Sequence, residues 1–346
     1  MRILAAWFPQ GQWRRWLAAL GALFAVAAFA WLLGELDPER LLGVLSRANP
    51  GFLLILALAL LAEQAVRAWK WRLLLRPQAR VSTAHLFGAI MAGYLTGLVV
   101  PLGASLLVRS WLVARSERLP MPAVLATTAL DRLTDGLAFA GFVVIALVFV
   151  ALPEHSGSLS QVLAVAGAAG FAAVVAALAG LAALARHGHR HPSWAERLPE
   201  RFKTTVFGFV ASFAEGAAWP PGTAARVGVL LAAIVIKALA ASHLLWAGLA
   251  FGVLLAPAHY VFLLVFLGFL MVLAHAARVP GSFVLGGVFA LGLLGVAREP
   301  AFAMVLTTMA LTVAVVGVAG TLALWQHGTS LAELRAPSLH HAADGP

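Results

Sequence analysis

The stretch GYLTGLVVPLGASLLVRSWLVARSERLPMPAVLATTALDRLTDG, from Gly93 to Gly136, combines the hydrophobicity of membrane helices with groups that lipid does not tolerate. Inside it lie a Pro-x-Gly interruption, an arginine, a basic loop and a cluster of charges. Such groups occur at membrane depth only where they face protein or water. The stretch therefore predicts both a polytopic membrane fold and the place where its function resides. The residues concerned are Pro101, Gly103, Arg109, Asp131, Arg132 and Asp135.

The composition of the whole chain supports this interpretation. Hydrophobic residues make up 62% of the 346 residues and charged residues only 11%, whereas soluble domains are about half apolar and a quarter charged. The net charge of +10 comes from arginines in short loops between apolar runs, as the positive-inside rule predicts, so we expect no nucleic-acid partner. The chain contains no cysteine, which excludes disulfides, thiolate metal sites and cysteine nucleophiles.

Apolar runs of about 18 or more residues indicate membrane-spanning helices. We predict an all-α bundle of about seven or eight spans with two broken or re-entrant segments, within a single transmembrane domain covering residues 1–346. Its first half covers about 1–185, a cytoplasmic linker 186–203, the second half about 204–330, and a disordered tail 331–346. The predicted spans and near-spans are 17–33, 50–66, 84–100, 120–152, 159–185, 224–255, 260–276 and 301–325.

The loop after the first span contains an acidic pair, Glu35-x-Asp37, followed by Pro38. Polyprenol-dependent glycosyltransferases use such a pair on a sizeable outer loop, but this loop is short. The alternative is that Asp37 caps a helix beginning at Pro38. We favour the cap, and we expect no catalytic residues, no cofactor and no metal site.

The second span contains Glu63 and Arg67, whose spacing of four residues allows an ion pair on one helix face. The densest basic segment of the chain follows, and tryptophans alternate with its cations. That segment either anchors a helix end among lipid headgroups or contacts a lipid phosphate, and Arg67, Lys70 and Arg72 are candidates for the contact.

Two hydrophobic segments are interrupted by proline and glycine. Residues 84–100 end at the Pro101-x-Gly103 break between two loops that both look cytoplasmic, so this segment must turn around inside the membrane. A second interrupted segment follows Arg278 and contains Pro280 and Gly281. Paired interruptions in comparable positions are a feature of transporters built from inverted repeats. We therefore expect a weak inverted repeat.

Asp131 and Asp135 share one helix face, and Arg132 lies beside them. A charge near the bilayer centre costs at least ~2.5 kcal/mol on insertion scales, so each should be paired. Arg132 is one candidate to neutralise an aspartate, and Lys237, which lies deep in a predicted span, is another. The cluster is either a structural ion pair between helices or a charged lining that contacts a headgroup or a coupling proton.

These motifs resemble the flippase-like integral membrane family related to the transmembrane domain of lysylphosphatidylglycerol synthase. The resemblance extends over nearly the whole chain. It rests on the end of the second span, the turn before Arg109, and the aspartate helix; this family usually has Gly-Glu after the turn proline, where this chain has Gly103-Ala104. The matching residues are Arg67-x-x-x-Trp71-Arg72-x-Leu74-Leu75, Pro101-x-Gly103 and Asp131-Arg132-Leu133-x-Asp135.

The resemblance implies a lipid flippase that is not an enzyme and moves a phospho- or polyprenyl-linked lipid between leaflets through a polar groove. It implies a bacterial cytoplasmic (inner) membrane location, and the tryptophans and arginines of residues 1–16 predict a cytoplasmic N-terminus. Expected partners are membrane lipids with anionic headgroups, a second copy of the chain, or a lipid-biosynthesis enzyme. The alternatives are a small-solute secondary transporter and a non-catalytic partner of a lipid or envelope biosynthesis enzyme. The groove residues would be Arg67, Arg72, Pro101, Gly103, Arg109, Asp131, Arg132, Asp135, Lys237, Arg278, Pro280 and Gly281.

Overall fold

The structure is a computed structural model of the 346-residue chain. It describes residues 30, 34, 36–99, 104–150, 157–187, 200–277 and 281–326. These described residues form eleven α-helices and no β-strand, in agreement with the predicted all-α class. In chain order the helices are α1 (Pro38–Ser46), α2 (Pro50–Leu75), α3 (Thr83–Val99), α4 (Ala104–Ser116), α5 (Met121–Phe149), α6 (Gly157–His187), α7 (Glu200–Gly216), α8 (Thr223–Ala250), α9 (Pro257–Ala277), α10 (Ser282–Leu293) and α11 (Arg298–Gln326).

Five of the described helices, α2, α5, α6, α8 and α11, are long and apolar enough to cross a membrane. Each has 26 or more residues, which at 1.5 Å per residue gives ~39 Å or more, compared with a hydrocarbon core of ~30 Å. The first predicted span, 17–33, falls almost wholly outside the described residues. The chain is therefore a polytopic helical membrane protein.

Helix α1 begins where the acidic loop was expected to cap a helix. The Asp37 side chain accepts hydrogen bonds from the backbone N–H groups of Glu39, at 3.0 Å, and Arg40, at 3.2 Å. Pro38 occupies the first helical turn, where its missing N–H costs nothing. The cap interpretation of Asp37 is confirmed, whereas Glu35 lies outside the described residues.

The described chain contains two compact units, and neither coincides with one half of the sequence, since each takes residues from both halves. The first is formed by the described residues of Met1–Leu56, Phe142–Gly167 and Ala241–Leu311, and the second by the described residues of Ala57–Gly141, Ala168–Ala240 and Thr312–Pro346.

In the first unit, helices α9 and α10 pack against each other as an antiparallel pair. The Phe266 and Phe289 rings lie 6.0 Å apart, and Gly286 lies against the Leu270 side chain. A side chain at Gly286 would collide with Leu270, so the glycine permits the close approach. The turn before α10 includes Gly281, whose φ of 73° is left-handed and favours glycine. The second interrupted segment thus forms a helical hairpin.

In the second unit, helices α3 and α4 form another antiparallel hairpin. A Cβ atom added to Gly93 would lie 2.8 Å from the Ser105 carbonyl oxygen, and one added to Gly97 would lie 3.3 Å from the Ser105 Cβ. Helix α4 has 13 residues and is therefore only ~20 Å long. The hairpin matches the predicted interruption of the chain, but Pro101 and Gly103 lie outside the described residues.

The core of the second unit is a cluster of apolar side chains from helices α2, α3, α4, α5, α8 and α11. Trp71, Leu74 and Ile90 are among its fully buried members. Buried charged side chains lie within the same unit, and they define the candidate site.

Candidate functional site

The first side of the site is one face of helix α2. Glu63, Arg67 and Lys70 are spaced by four and three residues, so they project from the same side of the helix. Arg67 Nη2 lies 3.0 Å from Glu63 Oε1. The predicted pairing of Glu63 with Arg67 is therefore confirmed.

Helix α5 provides the second side. The Asp135 carboxylate accepts a hydrogen bond from Arg67 Nη1 on one oxygen and from Lys70 Nζ on the other. Lys70 Nζ also lies 2.9 Å from Asp131 Oδ1 and donates to the Asp131 carbonyl oxygen at 3.0 Å. The two aspartates are thus joined through the cations of α2.

Helix α4 provides the third side through Arg109. Its Nη2 donates to Asp131 Oδ2 at 3.1 Å, and its guanidinium lies 5.1 Å from the centre of the Trp71 ring. The indole N–H of Trp71 in turn donates to the Thr127 hydroxyl at 3.0 Å. Arg109 is therefore fixed both by a charge-assisted hydrogen bond and by cation–π contact.

All six charged side chains are buried, and those of Lys70, Arg109 and Asp131 have no exposed surface. Isolated buried charges are very costly, and the cost is offset here because every acid touches a cation. We name this set the charge network. Its members are Glu63, Arg67, Lys70, Arg109, Asp131 and Asp135.

The structure corrects the expectation for Arg132. In the described ion pairs, Asp131 and Asp135 contact cations of α2 and α4, and Arg132 is not among the direct partners. Consecutive helical residues point ~100° apart, so Arg132 cannot face the same partners as Asp131. It is close enough only for longer-range attraction to the two carboxylates.

Lys237, in helix α8, also differs from expectation. Its Nζ lies 5.7 Å from the centre of the Phe139 ring. The described ion pairs do not join it to Asp135, although the two groups interact electrostatically at longer range. Lys237 and Arg132 add two further positive charges near the network.

Two arginines of the network have hydrogen-bonding capacity to spare. Within the described chain, Nε of Arg67 and both Nε and Nη1 of Arg109 are buried and have no hydrogen-bond acceptor. A guanidinium presents five donors, so each of these residues can donate a further hydrogen bond to an anionic oxygen. The two guanidinium groups therefore have unused donors beside the aspartates.

Neutral hydroxyl groups line the joint between α4 and α5. The Ser110 and Thr128 hydroxyls lie 2.9 Å apart, and both side chains are buried. The Thr134 hydroxyl donates to the Asp131 carbonyl at 2.9 Å. The Ser110–Thr128 contact joins the two helices near the charges, whereas the Thr134 contact lies within α5.

The remaining described residues of the predicted groove, Arg72 and Gly281, are not part of the charge network. Arg72 is exposed and donates to the Thr83 hydroxyl at 3.3 Å, away from the buried Arg67. Gly281 is the left-handed residue before α10. Lys70 was a predicted candidate for a phosphate contact but was not among the predicted groove residues, although its spacing from Glu63 and Arg67 places it on their face of the helix. Residues Pro101, Gly103, Arg278 and Pro280 lie outside the described residues.

The described part of the chain contains no set of side chains suited to bind a metal ion. No group of three or more histidine, aspartate or glutamate side chains is arranged there to hold an ion. The carboxylates of the network are instead neutralised by arginine and lysine.

Comparison with known proteins agrees with this architecture. Over 152 residues the chain is 30% identical to the glycosyltransferase AglD of Haloferax volcanii, a match that covers 44% of this chain and 24% of that protein. The chain thus corresponds to a minor part of that relative's length. The family described as "Lysylphosphatidylglycerol synthase TM region" matches residues 18–320, which include every helix of the charge network. The chain therefore belongs to the lysylphosphatidylglycerol synthase TM region family.

Proposed function

We propose that the protein moves lipids with an anionic headgroup between the two leaflets of its membrane. The observation that supports this proposal most strongly is the charge network with its unused arginine donors. A membrane protein gains little from burying six charges for stability alone, because apolar side chains of similar volume are often as stabilising. Ionisable groups within membrane helices more often mark the path of a substrate.

The balance of charge favours an anionic substrate. The three acids of the network are matched by three cations, and Arg132 and Lys237 leave an excess of two positive charges in the neighbourhood. A phosphate has the charge and the oxygen geometry to replace a carboxylate on a guanidinium. We expect Arg109 to exchange Asp131 for the phosphate of a passing headgroup.

The position of Arg109 supports this role. It lies on the short helix α4, which packs against α3 in a hairpin. The close contact between Gly93 and helix α4 shows this packing. Broken or hairpin helices at membrane depth are typical of substrate sites in transporters. A re-entrant α3–α4 hairpin would bring the polar headgroup inside while the acyl chains stay in lipid. The sequence contains no nucleotide-binding motif, so we expect transport to be passive or driven by protons or membrane potential.

Family membership supports a role connected with membrane lipids. The family is named after the transmembrane region of lysylphosphatidylglycerol synthase, and the curated relative is named as a glycosyltransferase. Neither description assigns translocation to this chain. Translocation is our proposal, and we expect no catalysis by this chain.

The proposal can be tested by reconstituting the purified protein into liposomes with fluorescent phosphatidylglycerol, followed by dithionite bleaching. We expect wild-type protein to expose inner-leaflet label and Arg109→Ala to slow exposure at least ~10-fold, the equivalent of one charge-assisted hydrogen bond. The matched control is Arg115→Ala. Arg115 lies on the same helix and also stacks on a tryptophan, with its guanidinium 5.2 Å from the Trp111 ring centre, but it is exposed.

Arg109→Lys provides a second variant in case the alanine variant does not fold. It keeps the charge opposite Asp131 and removes the spare donors, so we expect a folded protein with slowed translocation. Wild-type rates equal to those of empty liposomes for anionic, zwitterionic and polyprenyl lipids would refute translocation. Full activity in both folded Arg109 variants would refute the role of the network.

A second candidate function is favoured by the match to a glycosyltransferase. In it, the chain would be the non-catalytic membrane partner of an enzyme that modifies a lipid. Two results together would favour this function over translocation: the wild-type protein is inactive in the liposome assay, and a lipid-modifying enzyme co-purifies with it in stoichiometric amount.

A further inference from the structure

A pocket of about 660 Å³ lies at the C-terminal end of helix α2, in the second unit. Drug-sized ligands occupy cavities of ~300–1,000 Å³, so the space is sufficient for a phosphate and the group attached to it. The charge network does not contribute to the pocket. Its lining residues are Arg72, Arg76, Ala79, Arg80, Val81, Ser82, Thr83 and Pro221.

Three arginines converge on this pocket because the chain turns there. Arg72, Arg76 and Arg80 are spaced by four residues, and helix α2 ends between the first and the second. The turn is fixed by hydrogen bonds from the N–H groups of Gln78 and Ala79 to the Leu75 carbonyl, at 2.9 and 3.0 Å. The turn therefore places all three guanidinium groups beside one cavity.

The N-terminus of helix α3 forms the opposite wall. Ser82 caps this helix, since its hydroxyl accepts the N–H of His85 at 3.2 Å. The first turn of any helix has N–H groups without a helical acceptor and a partial positive charge. The Thr83 hydroxyl faces the arginines and accepts a hydrogen bond from Arg72 Nη1 at 3.3 Å. Charged donors and backbone donors thus surround the same space.

The pocket has no negative charge of its own. No aspartate or glutamate is among its lining residues, and no ion pair recorded in the described chain involves Arg72, Arg76 or Arg80. Three like charges around one cavity repel each other, and an anion between them removes that cost. A second surface pocket, in the first unit, shows the contrast, because Glu299 lines it together with Arg40 and Arg47.

We propose that the arginine pocket binds a phosphate group, either as the headgroup of an anionic lipid or as a soluble phosphate ester. Guanidinium groups bind phosphate oxygens in pairs, and the N-terminus of a helix favours the same ligand. The phosphate would replace the repulsion between the three arginines with charge-assisted hydrogen bonds. The three arginines are exposed, and the site does not depend on translocation through the charge network.

The test is isothermal titration calorimetry on the full chain in neutral detergent. The titrants are dihexanoyl phosphatidic acid, inorganic phosphate and, as the uncharged reference, dihexanoyl phosphatidylcholine. We expect Arg72→Gln/Arg76→Gln/Arg80→Gln to weaken phosphatidic acid binding at least ~10-fold, as the loss of charge-assisted hydrogen bonds requires. The matched control, Arg40→Gln/Arg47→Gln, should bind like the wild type.

The thermal unfolding midpoint of the triple variant should be no lower than that of the wild type, because the three side chains are exposed and their mutual repulsion is removed. Tight binding of phosphatidic acid with weak binding of inorganic phosphate identifies a lipid headgroup as the ligand, and equal binding identifies a soluble phosphate. Unchanged affinity in the triple variant, or no binding of either titrant by the wild type, would overturn the proposal. Translocation is measured separately, so its failure would leave this result unaffected.

Discussion

At the scale of single residues, Asp135 is the acceptor on which two cations converge. It binds Arg67 through one oxygen and Lys70 through the other, and its side chain is almost fully buried. Removing one partner of a buried ion pair leaves an uncompensated charge in a low dielectric. The contacts of Asp135 should therefore matter more to stability than any exposed ion pair of the chain.

We predict that Asp135→Asn lowers the free energy of unfolding by ~3–5 kcal/mol, because it leaves an uncompensated buried positive charge. The measurement is denaturant unfolding in mixed micelles. Adding Lys70→Met should recover part of the loss, since Arg67 then retains Glu63 and Asp131 retains Arg109. Asp37→Asn is the matched control, because asparagine caps a helix about as well as aspartate. A double variant as unstable as the sum of its parts would contradict the coupling.

At the scale of elements, the α3–α4 hairpin positions Arg109. The two helices approach so closely at Gly93 that an added Cβ would lie 2.8 Å from the Ser105 carbonyl oxygen and 3.1 Å from the Arg109 Cβ. Moving the Ser105 backbone or the Arg109 Cβ atom away would shift helix α4 itself, which is energetically costly. The glycine therefore sets the distance between the helices and, through it, the position of the guanidinium.

We predict that Gly93→Ala destabilises the protein by ~1–3 kcal/mol through overpacking and also slows lipid translocation, because Arg109 is displaced. Gly141→Ala is the control: Gly141 lies inside helix α5 and has no atom within 4 Å of an added Cβ. That substitution should be neutral or stabilising by up to ~1 kcal/mol, since alanine favours the helix. Equal stability of the two variants would show that the hairpin is not tightly packed at Gly93.

At the scale of the whole molecule, the long helices and the distribution of arginines predict a topology. Helix α2 has 26 residues and is long enough to cross the bilayer, and the basic segment includes its last turns and the residues that follow, to Arg80. The positive-inside rule assigns that end to the cytoplasm and the loop before α2 to the opposite side. The chain has no cysteine, so single cysteines can report the sidedness of each end directly.

We predict that a membrane-impermeant maleimide labels Arg47→Cys, but not Arg76→Cys, in intact cells, and that inside-out vesicles reverse the result. Both positions are exposed and flank the same helix. Labelling of both positions from one side would contradict a spanning α2. The opposite pattern of labelling would contradict the predicted orientation.

The sequence determined the class of the protein and most of its helices. Apolar runs of membrane length are a local property of the chain, so α2, α5, α6, α8 and α11 could be predicted, with most bounds within a few residues. The helical extension of α2 through the basic segment to Leu75 was not predicted, because charged residues were taken to end the span. The pairing of Glu63 with Arg67 was predictable for the same local reason, a spacing of four residues on one helix.

The partners of the aspartates were decided only by the tertiary structure. Asp135 contacts Arg67 and Lys70 across 68 and 65 residues of sequence, whereas its neighbour Arg132 points elsewhere. Sequence spacing fixes direction within one helix, but it says nothing about which helix packs against which face. The physical reason is that the free-energy cost of burying a charge is offset by the charges that lie near it in the folded protein. Those charges can come from any helix that packs against it, wherever that helix lies in the chain.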